Sequence, residues 1–353
     1  MIFNKVSNTK LAKITHTILD EDSSPESLAD ALDDFARLCS DITAITPDAS
    51  FNAWAEDSFL DDGVAINPQA AAFCIKDYPR SIAFIRGVYA AILAAQIRFP
   101  NMPLKILYAG CGPFATLLLP LLVKFKPREL DLHLLDIHQQ SLDSVESLIE
   151  VLALQEHHVS LIQGDACRYQ HDHKLHIIVA EVMQKALEQE PQVAVTANLS
   201  PQLHDKGIFI PEKIEVTLCL GHWDDEKMLM SRAGAVDHDL LVASGQRHFL
   251  GTLLTLLPFS VDELIRSAKF NADTSMLEFK PVPFRLPEIT TIEQYDLLIL
   301  TRVQVFSQYR LGDYESEITL PRMCNDVALL RSGSSYQACY QLGNYPRFNV
   351  IAH

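Results

Sequence analysis

The sequence predicts an α/β chain: a mainly parallel sheet with helices on both faces, preceded by a helical segment and followed by a β-rich, barrel-like region. Three observations carry this prediction. From Leu104 to Pro211 short apolar runs alternate with helical stretches, the pattern of a sheet assembled from strand–helix units. Before about Pro100 the chain reads as helical. After Pro211 it becomes short, partly alternating runs rich in β-branched and aromatic residues, punctuated by prolines and glycines. The corresponding domains are residues 1–103, 104–211 and 212–353.

Taken in order, Ser24-Pro25-Glu26 starts a helix, with Ser24 as cap and Pro25 in the first turn, ahead of LADALDDFARLC. A further helix is predicted from about Arg80 to Arg98. The first strand of the sheet runs from about Leu104 and stops at Gly110-Cys111-Gly112-Pro113, after which an apolar run is predicted to re-enter as a helix. Asp131 to Ile137, DLHLLDI, is the second strand, and Ser141 to Leu154 a helix. Val159 to Ile162 is the third strand and leads into Gln163-Gly164-Asp165-Ala166; Leu175 to Ala180 is the fourth and leads into Glu181. Beyond Pro211, IEVTLCLGHW, TSMLEFKPVPF, YDLLILTRVQVF, SEITL and YQACYQL read as a mostly antiparallel sheet or barrel, with a helix from Val261 to Phe270.

Composition narrows the function. With 353 residues, 48% apolar and 21% charged, the chain is long for one domain and can bury more than one core. Its formal charge of −16, from 45 acids against 29 Lys and Arg, repels phosphate backbones and anionic membranes and suits a small cationic partner. Seven scattered cysteines without a C-x-x-C pair read as reduced cytosolic thiols. There is no basic-plus-apolar leader, and runs such as Ala115 to Val123 and Phe249 to Phe259 are too short to span a bilayer. The expectation is a soluble, cytoplasmic protein with neither nucleic acid nor membrane as partner.

The chemistry gathers at strand ends. A strand that ends in glycines and re-enters as a helix presents backbone N–H groups to a pocket, which places Gly110, Cys111 and Gly112 at a nucleotide-like cofactor. Gly110, Gly112 and Ala115 satisfy dinucleotide spacing, and Asp136, about 25 residues on, suits a ribose diol. NAD and S-adenosylmethionine both satisfy these features. After the fourth strand, Glu181 stands where an open sheet borders its ligand crevice, and a short loop can bring Glu190 back to face it; two carboxylates there make a cation clamp. The bland alternative is that Glu181 caps backbone groups while Glu188 and Glu190 are solvated.

These motifs together resemble the protein arginine methyltransferase family. Lys76-Asp77-Tyr78-Pro79-Arg80-Ser81 resembles its K-D-x-x-R-T element, Glu181-Val182-Met183 its E-x-M, and Glu190 the second glutamate of its double-glutamate loop. Gly207 to Pro211 resembles the G-x-x-x-P crossing into its barrel. The resemblance covers the chain from about Asp77 onward, in texture only beyond Pro211. It implies a class I methyltransferase Rossmann-like fold and S-adenosylmethionine as cofactor. It also implies that Arg80 grips the methionine carboxylate, Asp136 the ribose, and Asp165 with Ala166 the adenine. The implied acceptor is a guanidino group, of free arginine, an arginine-like small molecule or peptidyl arginine, held by Glu181 and Glu190. A homodimer stays open. Two other readings also stay open: an O- or amine N-methyltransferase of the same fold, and a non-catalytic partner protein that binds the cofactor.

The chain departs from the family at Tyr108, where an acid is usual, and at Phe114, in place of a third glycine. Its last hundred residues contain no Thr-His-Trp; Gly221-His222-Trp223 comes too early, and Ser334-Ser335-Tyr336-Gln337 is expected in comparable space. Phe51, Trp54 and Phe59 stand roughly where the family closes aromatics over the cofactor. His171, His173 and His176 lie near Cys167 and Asp172, but their spacings match no usual ligand set, and no metal is expected.

Overall fold

The computed structural model describes residues 2–50, 57–230, 237–324 and 330–352. It opens with two helices, α1 (Ile2–Leu19) and α2 (Pro25–Thr43). The α2 start follows from local chemistry: the Ser24 side chain accepts from the Ser27 N–H at 3.2 Å, and Pro25 fills the first turn. The N-terminal region is not all helical, because a short hairpin, β1 (Ser58–Leu60) and β2 (Gly63–Ala65), comes before α3 (Pro68–Phe73) and α4 (Tyr78–Arg98).

Five strands then build one parallel sheet: β3 (Leu104–Ala109), β4 (Leu130–Asp136), β5 (His158–Gln163), β6 (Leu175–Ala180) and β7 (Leu203–Ile210), in the spatial order β5-β4-β3-β6-β7. The connections include α5 (Gln139–Val151) after β4 and α6 (Gln192–Leu199) after β6. Winding starts at β3 and runs one way to β5, then the other way through β6 to β7, so the order reverses beside β3 and leaves a crevice at the carboxyl ends. Strand alternation divides the cores. Leu107 and Ala109 pack with Val195 and Leu199 of α6, whereas Ile106 and Tyr108 join α1, α2, α4 and α5 on the opposite face.

The remaining strands form two antiparallel sheets. One holds β8 (Lys213–Gly221), β9 (Arg247–Leu256), β13 (Asp296–Phe306), β14 (Tyr309–Leu311) and β15 (Arg322–Met323). The other holds β10 (Lys269–Asn271), β11 (Met276–Glu278), β12 (Val282–Arg285), β16 (Ser335–Leu342) and β17 (Arg347–Ala352). Helices α7 (Trp223–Met230) and α8 (His238–Ala243) stand between β8 and β9, and α9 (Val261–Ser267) follows β9. SEITL is not a strand: its Glu317–Thr319 is a single 3₁₀ turn closed by a capping box between Ser316 and Thr319. The predicted Val261 to Phe270 helix ends early, at Ser267, because Lys269 to Asn271 are drawn into pairing with β11.

Helix α4 ties the halves together, packing against β6 and β7 of the parallel sheet and against β13 and β14 of the first antiparallel one. It is long and apolar enough to cross a membrane by length and composition, although Arg80 and Arg86 interrupt its apolar run. Here its face from Phe84 through Ala95 is buried in the core.

Candidate functional site

The carboxyl ends of β3, β4, β5 and β6 open into one cavity of about 1010 Å3, a figure that includes the open solvent at its mouth. All nine predicted site residues line it: Arg80, Gly110, Cys111, Gly112, Asp136, Asp165, Ala166, Glu181 and Glu190.

The glycine turn works differently from its sequence reading. No α-helix follows it; the chain passes through turns into a 3₁₀ helix, Leu119–Lys124. A helix begun at Ala115 would carry Pro120 into its interior, where a ring replaces the needed N–H and collides with the preceding turn. Nor do the turn's amides face a ligand: Gly110 and Cys111 donate to the Leu135 carbonyl at 2.8 and 3.2 Å, and Gly112 donates to Asp136 Oδ2 at 2.8 Å. Gly110 is nevertheless required, since its φ of +69° is left-handed and a Cβ there would run into Val182. The amides of Gly110, Cys111 and Gly112 are therefore already engaged within the protein.

Asp136 accepts the Gly112 N–H on one oxygen and the His138 N–H, at 2.9 Å, on the other, leaving a lone pair on each for a ligand. The Asp165 carboxylate is turned into its own loop, accepting from the Cys167 N–H at 2.8 Å and lying 3.4 Å from Arg168 Nε. Asp165 and Ala166 thus contribute wall, with the Asp165 charge already engaged.

Glu181 and Glu190 sit at the heart of the cavity. Arg80 Nη2 donates to Glu181 Oε2, and both side chains are almost enclosed, at 13% and 7% exposure. The other oxygen, Glu181 Oε1, is buried without a hydrogen-bond partner. Burial raises the Glu181 carboxyl above its ordinary value, with Arg80 opposing; burial also works against the Arg80 charge, but Glu181 overcomes it and holds Arg80 protonated. Glu190 is 8% exposed, and burial followed by the Glu181 charge pushes its carboxyl up to about 8. Neither Glu190 nor Glu188, which pairs with Arg322, is a solvated residue.

The loop between them is held from outside. Ala186, Leu187 and Gln189 adopt left-handed backbone, with φ of 58°, 54° and 65°, at a cost of about 1–3 kcal/mol each for non-glycine residues. Four contacts offset it: the Ala186 N–H donates to Thr301 Oγ1 at 2.7 Å, Tyr340 Oη donates to the Leu187 carbonyl at 2.7 Å, the Gln189 N–H donates to the Pro346 carbonyl at 2.9 Å, and Arg322 pairs with Glu188 at 3.0 Å. Both antiparallel sheets thereby set the place of Glu190.

Two further features escaped sequence reasoning. The β1–β2 hairpin walls the cavity with Leu60, Val64 and Ala65, and three strand-end loops fasten it. Ser58 Oγ bonds His138 Nε2 at 3.0 Å, Asp61 pairs with Arg168 at 2.8 Å, and the Val64 N–H donates to the Gln189 carbonyl at 2.8 Å. The polar Asp61-Asp62-Gly63 run was the available signal of a turn; Asp61 and Asp62 form it, and Gly63 already pairs with Leu60. The second feature is a contact across 239 residues: Ser316 Oγ donates to Asp77 Oδ2 at 2.6 Å, joined by the Glu317 N–H at 2.9 Å, while Asp77 Oδ1 accepts the Arg80 N–H at 3.4 Å. A 3₁₀ turn of the C-terminal half thus fixes the start of the helix that carries Arg80. Asp77→Ala removes the cap and strands a buried hydroxyl and an amide. It should lower stability by about 2–3 kcal/mol, read as a reduced urea midpoint at unchanged slope.

Other candidates fall elsewhere. Phe59 is 76% exposed and does not close over the cavity; Phe51 and Trp54 lie outside the described residues. Trp223 begins α7, its N–H bonded to Asp296 at 3.2 Å, and Ser335 to Gln337 belong to β16; none of these lines the cavity. Tyr108 and Phe114 do line it, buried and apolar in effect, with burial raising the Tyr108 hydroxyl well above its ordinary value. His176 is a buried strand residue whose Nδ1 accepts the Lys105 N–H at 2.8 Å; His171 packs its ring 4.4 Å from that of His133, and Asp172 and His173 are exposed on a bend before β6. No metal-binding group of three or more His, Cys, Asp or Glu exists among the described residues.

No family model matches the chain, and no curated protein does. Among solved structures it is similar to protein arginine methyltransferase 1 of Trypanosoma brucei, in an enzyme–prozyme heterotetrameric complex with AdoHcy, at 13% identity over 76% of this chain and 86% of that one, with a TM-score of 0.45. It is also similar to protein arginine methyltransferase 10 of Arabidopsis thaliana, at 12% identity over 76% and 86% of the two chains, with a TM-score of 0.46.

Proposed function

We propose that this chain is an S-adenosylmethionine-dependent methyltransferase whose acceptor is a cation, foremost a guanidino group of free arginine, an arginine-like small molecule or peptidyl arginine. The observation that carries this reading is the pair of enclosed carboxylates, Glu181 and Glu190, in the cavity that Asp136 also lines, with Glu181 Oε1 buried and unpartnered.

The cavity fits a cofactor that has a ribose and a carboxylate but no phosphate. Asp136 keeps acceptor capacity for a diol, and Arg80 is the sole Lys or Arg among the described lining residues. With that one cation in the described lining and the Gly110, Cys111 and Gly112 amides engaged, the cavity favours S-adenosylmethionine over NAD. Leu60, Ile137 and Ala166 supply apolar wall. Bound there, the cofactor would supply an electrophilic sulfonium methyl group.

The chain's own residues do the rest. A guanidinium has a pKa above about 12 and arrives protonated and delocalised, a poor nucleophile. Glu181 and Glu190 hold two of its nitrogens by charge-assisted hydrogen bonds and concentrate the positive charge there, leaving the third to attack in line. As the N–C bond formed and the C–S bond broke, leaving a neutral thioether, the attached proton would become acidic, and Glu190, whose carboxyl is raised by its burial, would accept it. The loop contacts from Thr301, Tyr340 and Pro346 keep that carboxylate in place.

The testing experiment is methyl transfer read by mass spectrometry, with free arginine, arginine-containing peptides, simple guanidines, amines and alcohols as acceptors. One added methyl mass on a guanidine supports the reading. Bound cofactor with transfer only to amines or alcohols moves the acceptor class, and no cofactor binding overturns it. A pH dependence follows as well. Below about 8 Glu190 must release its proton before a cation can pair with it, while a guanidinium does not titrate. Affinity for a guanidine should therefore rise nearly tenfold per pH unit from 6 toward 8 and level off above. Titration calorimetry in buffers of different ionisation enthalpy would count the released proton. The same carboxyl adds stability that is complete below its unfolded value near 4.5 and lost as pH rises through about 8. The thiols of Cys39, Cys74, Cys111, Cys167, Cys219 and Cys339 are free, which leads us to place the protein in the cytoplasm.

A further inference from the structure

We propose that Arg80 gates the acceptor seat: with no anionic ligand group in the cavity it occupies Glu181, and a ligand carboxylate that takes Arg80 over frees Glu181 to receive the cation. The inference rests on the cavity being a cofactor-and-acceptor site, and it adds an order of binding built into one side chain.

The geometry sets up a competition with few participants. Arg80 is the sole Lys or Arg in the described lining, so a carboxylate entering the cavity has that one strong partner. Arg80 Nη2 is committed to Glu181 Oε2, and the two side chains are nearly enclosed. Neither charge can be left buried and unpaired, so Arg80 cannot leave Glu181 unless something replaces it on both sides. A ligand carboxylate replaces Glu181 as the partner of Arg80, and an acceptor cation replaces Arg80 as the partner of Glu181. Each exchange makes the other easier, which is positive coupling between two ligands that need not touch.

The backbone does not share in the movement. Asp77 holds the start of α4 through its bonds to the Arg80 N–H, the Ser316 hydroxyl and the Glu317 N–H, and Pro79 stiffens the same turn. The exchange is a swing of the Arg80 side chain alone. Glu181 Oε1, without a hydrogen-bond partner while Arg80 holds Oε2, gives the cation its first contact, and only release of Oε2 completes a two-oxygen seat. Without the carboxylate ligand, the acceptor meets a Glu181 already neutralised.

The test is titration calorimetry on the full chain with butylguanidine, a guanidinium that carries no carboxylate, as the cation probe. It is run alone, with saturating S-adenosylhomocysteine, and with saturating 5′-methylthioadenosine, which keeps the nucleoside and thioether but lacks the carboxylate. The expected result is binding at least tenfold tighter with S-adenosylhomocysteine and unchanged with 5′-methylthioadenosine. Arg80→Met should bind butylguanidine without any nucleoside about as tightly as the wild type does with S-adenosylhomocysteine. Equal butylguanidine affinity in all three wild-type titrations overturns the gate and leaves the clamp standing, a comparison that needs no variant. Equal tightening by both nucleosides also overturns it, since the carboxylate would then be irrelevant. If S-adenosylhomocysteine binds but butylguanidine binds in no state, the cation-acceptor reading itself fails and the gate with it.

Discussion

Glu181→Gln should lower kcat for a guanidine acceptor by about 10²–10³-fold, the usual consequence of deleting one preorganised electrostatic partner of a transition state. The substitution keeps shape and hydrogen-bonding reach but removes the charge that holds two acceptor nitrogens against delocalisation. It also removes the counter-ion of Arg80, so Arg80 becomes more available to a ligand carboxylate. Affinity for S-adenosylhomocysteine should therefore be retained or improved while turnover collapses. That combination separates a loss of chemistry from a loss of fold, which would weaken both. A variant that turns over at the wild-type rate would take Glu181 out of the mechanism. Glu190→Gln should be similarly inactive and should in addition lose the pH dependence of guanidine affinity below about 8.

The second large effect is structural and lies away from the cavity. Arg247→Met should lower stability by about 3–5 kcal/mol, because it strands the buried Glu226 carboxylate and removes one of the cationic partners of Asp313. Arg247 is 1% exposed, donates to both oxygens of Glu226 at 2.8 and 2.7 Å, and reaches Asp313 at 2.8 Å and the Tyr314 hydroxyl at 2.9 Å. Burial acts against the Asp313 charge, but bonds from His238 and Arg302 and the charges of Arg302 and Arg247 hold its carboxyl well below the usual range. A depressed carboxyl stabilises the fold above its unfolded value near 4, and that contribution fades as pH falls below it. The variant should accordingly show a lower urea midpoint at pH 7 and a smaller further loss on acidification. Arg247→Lys should restore little, since an ammonium cannot serve Glu226 and Asp313 with one planar fork. Asp313 is three residues from Ser316, so the variant should also loosen the hold on Asp77 and, through it, Arg80.

How much of this was legible depended on whether the cause was local. Ser24-Pro25, the apolar strands and the left-handed turn at Gly110 are dictated by neighbouring residues and appear in the sequence as such. Glu181 was legible from its place after the apolar run Leu175 to Ala180, and Glu190 from a loop short enough to fold back, a reading that the spacing of a family motif then reinforced. The expected helix after the glycine turn failed on Pro120, which outweighed an apolar run of otherwise helical composition. The β1–β2 hairpin was missed because three-residue strands are too short to show alternation. The Asp77–Ser316 contact, the Thr301 and Tyr340 anchors of the glutamate loop and the burial of Arg247 join residues far apart in the chain, and periodicity carries no record of such pairs.

Helix α4 belongs to both halves at once. Its Gly87 lies so close to β13 that a Cβ there would sit 2.6 Å from the Val305 side chain, while other parts of the same helix cover β6 and β7. The parallel sheet and the antiparallel sheets consequently have no clean seam between them. A recombination that replaced everything after Pro211 would have to furnish a new surface complementary to this helix, so the C-terminal half is not an interchangeable module, and substrate range is more readily altered by substitution within it than by exchanging it.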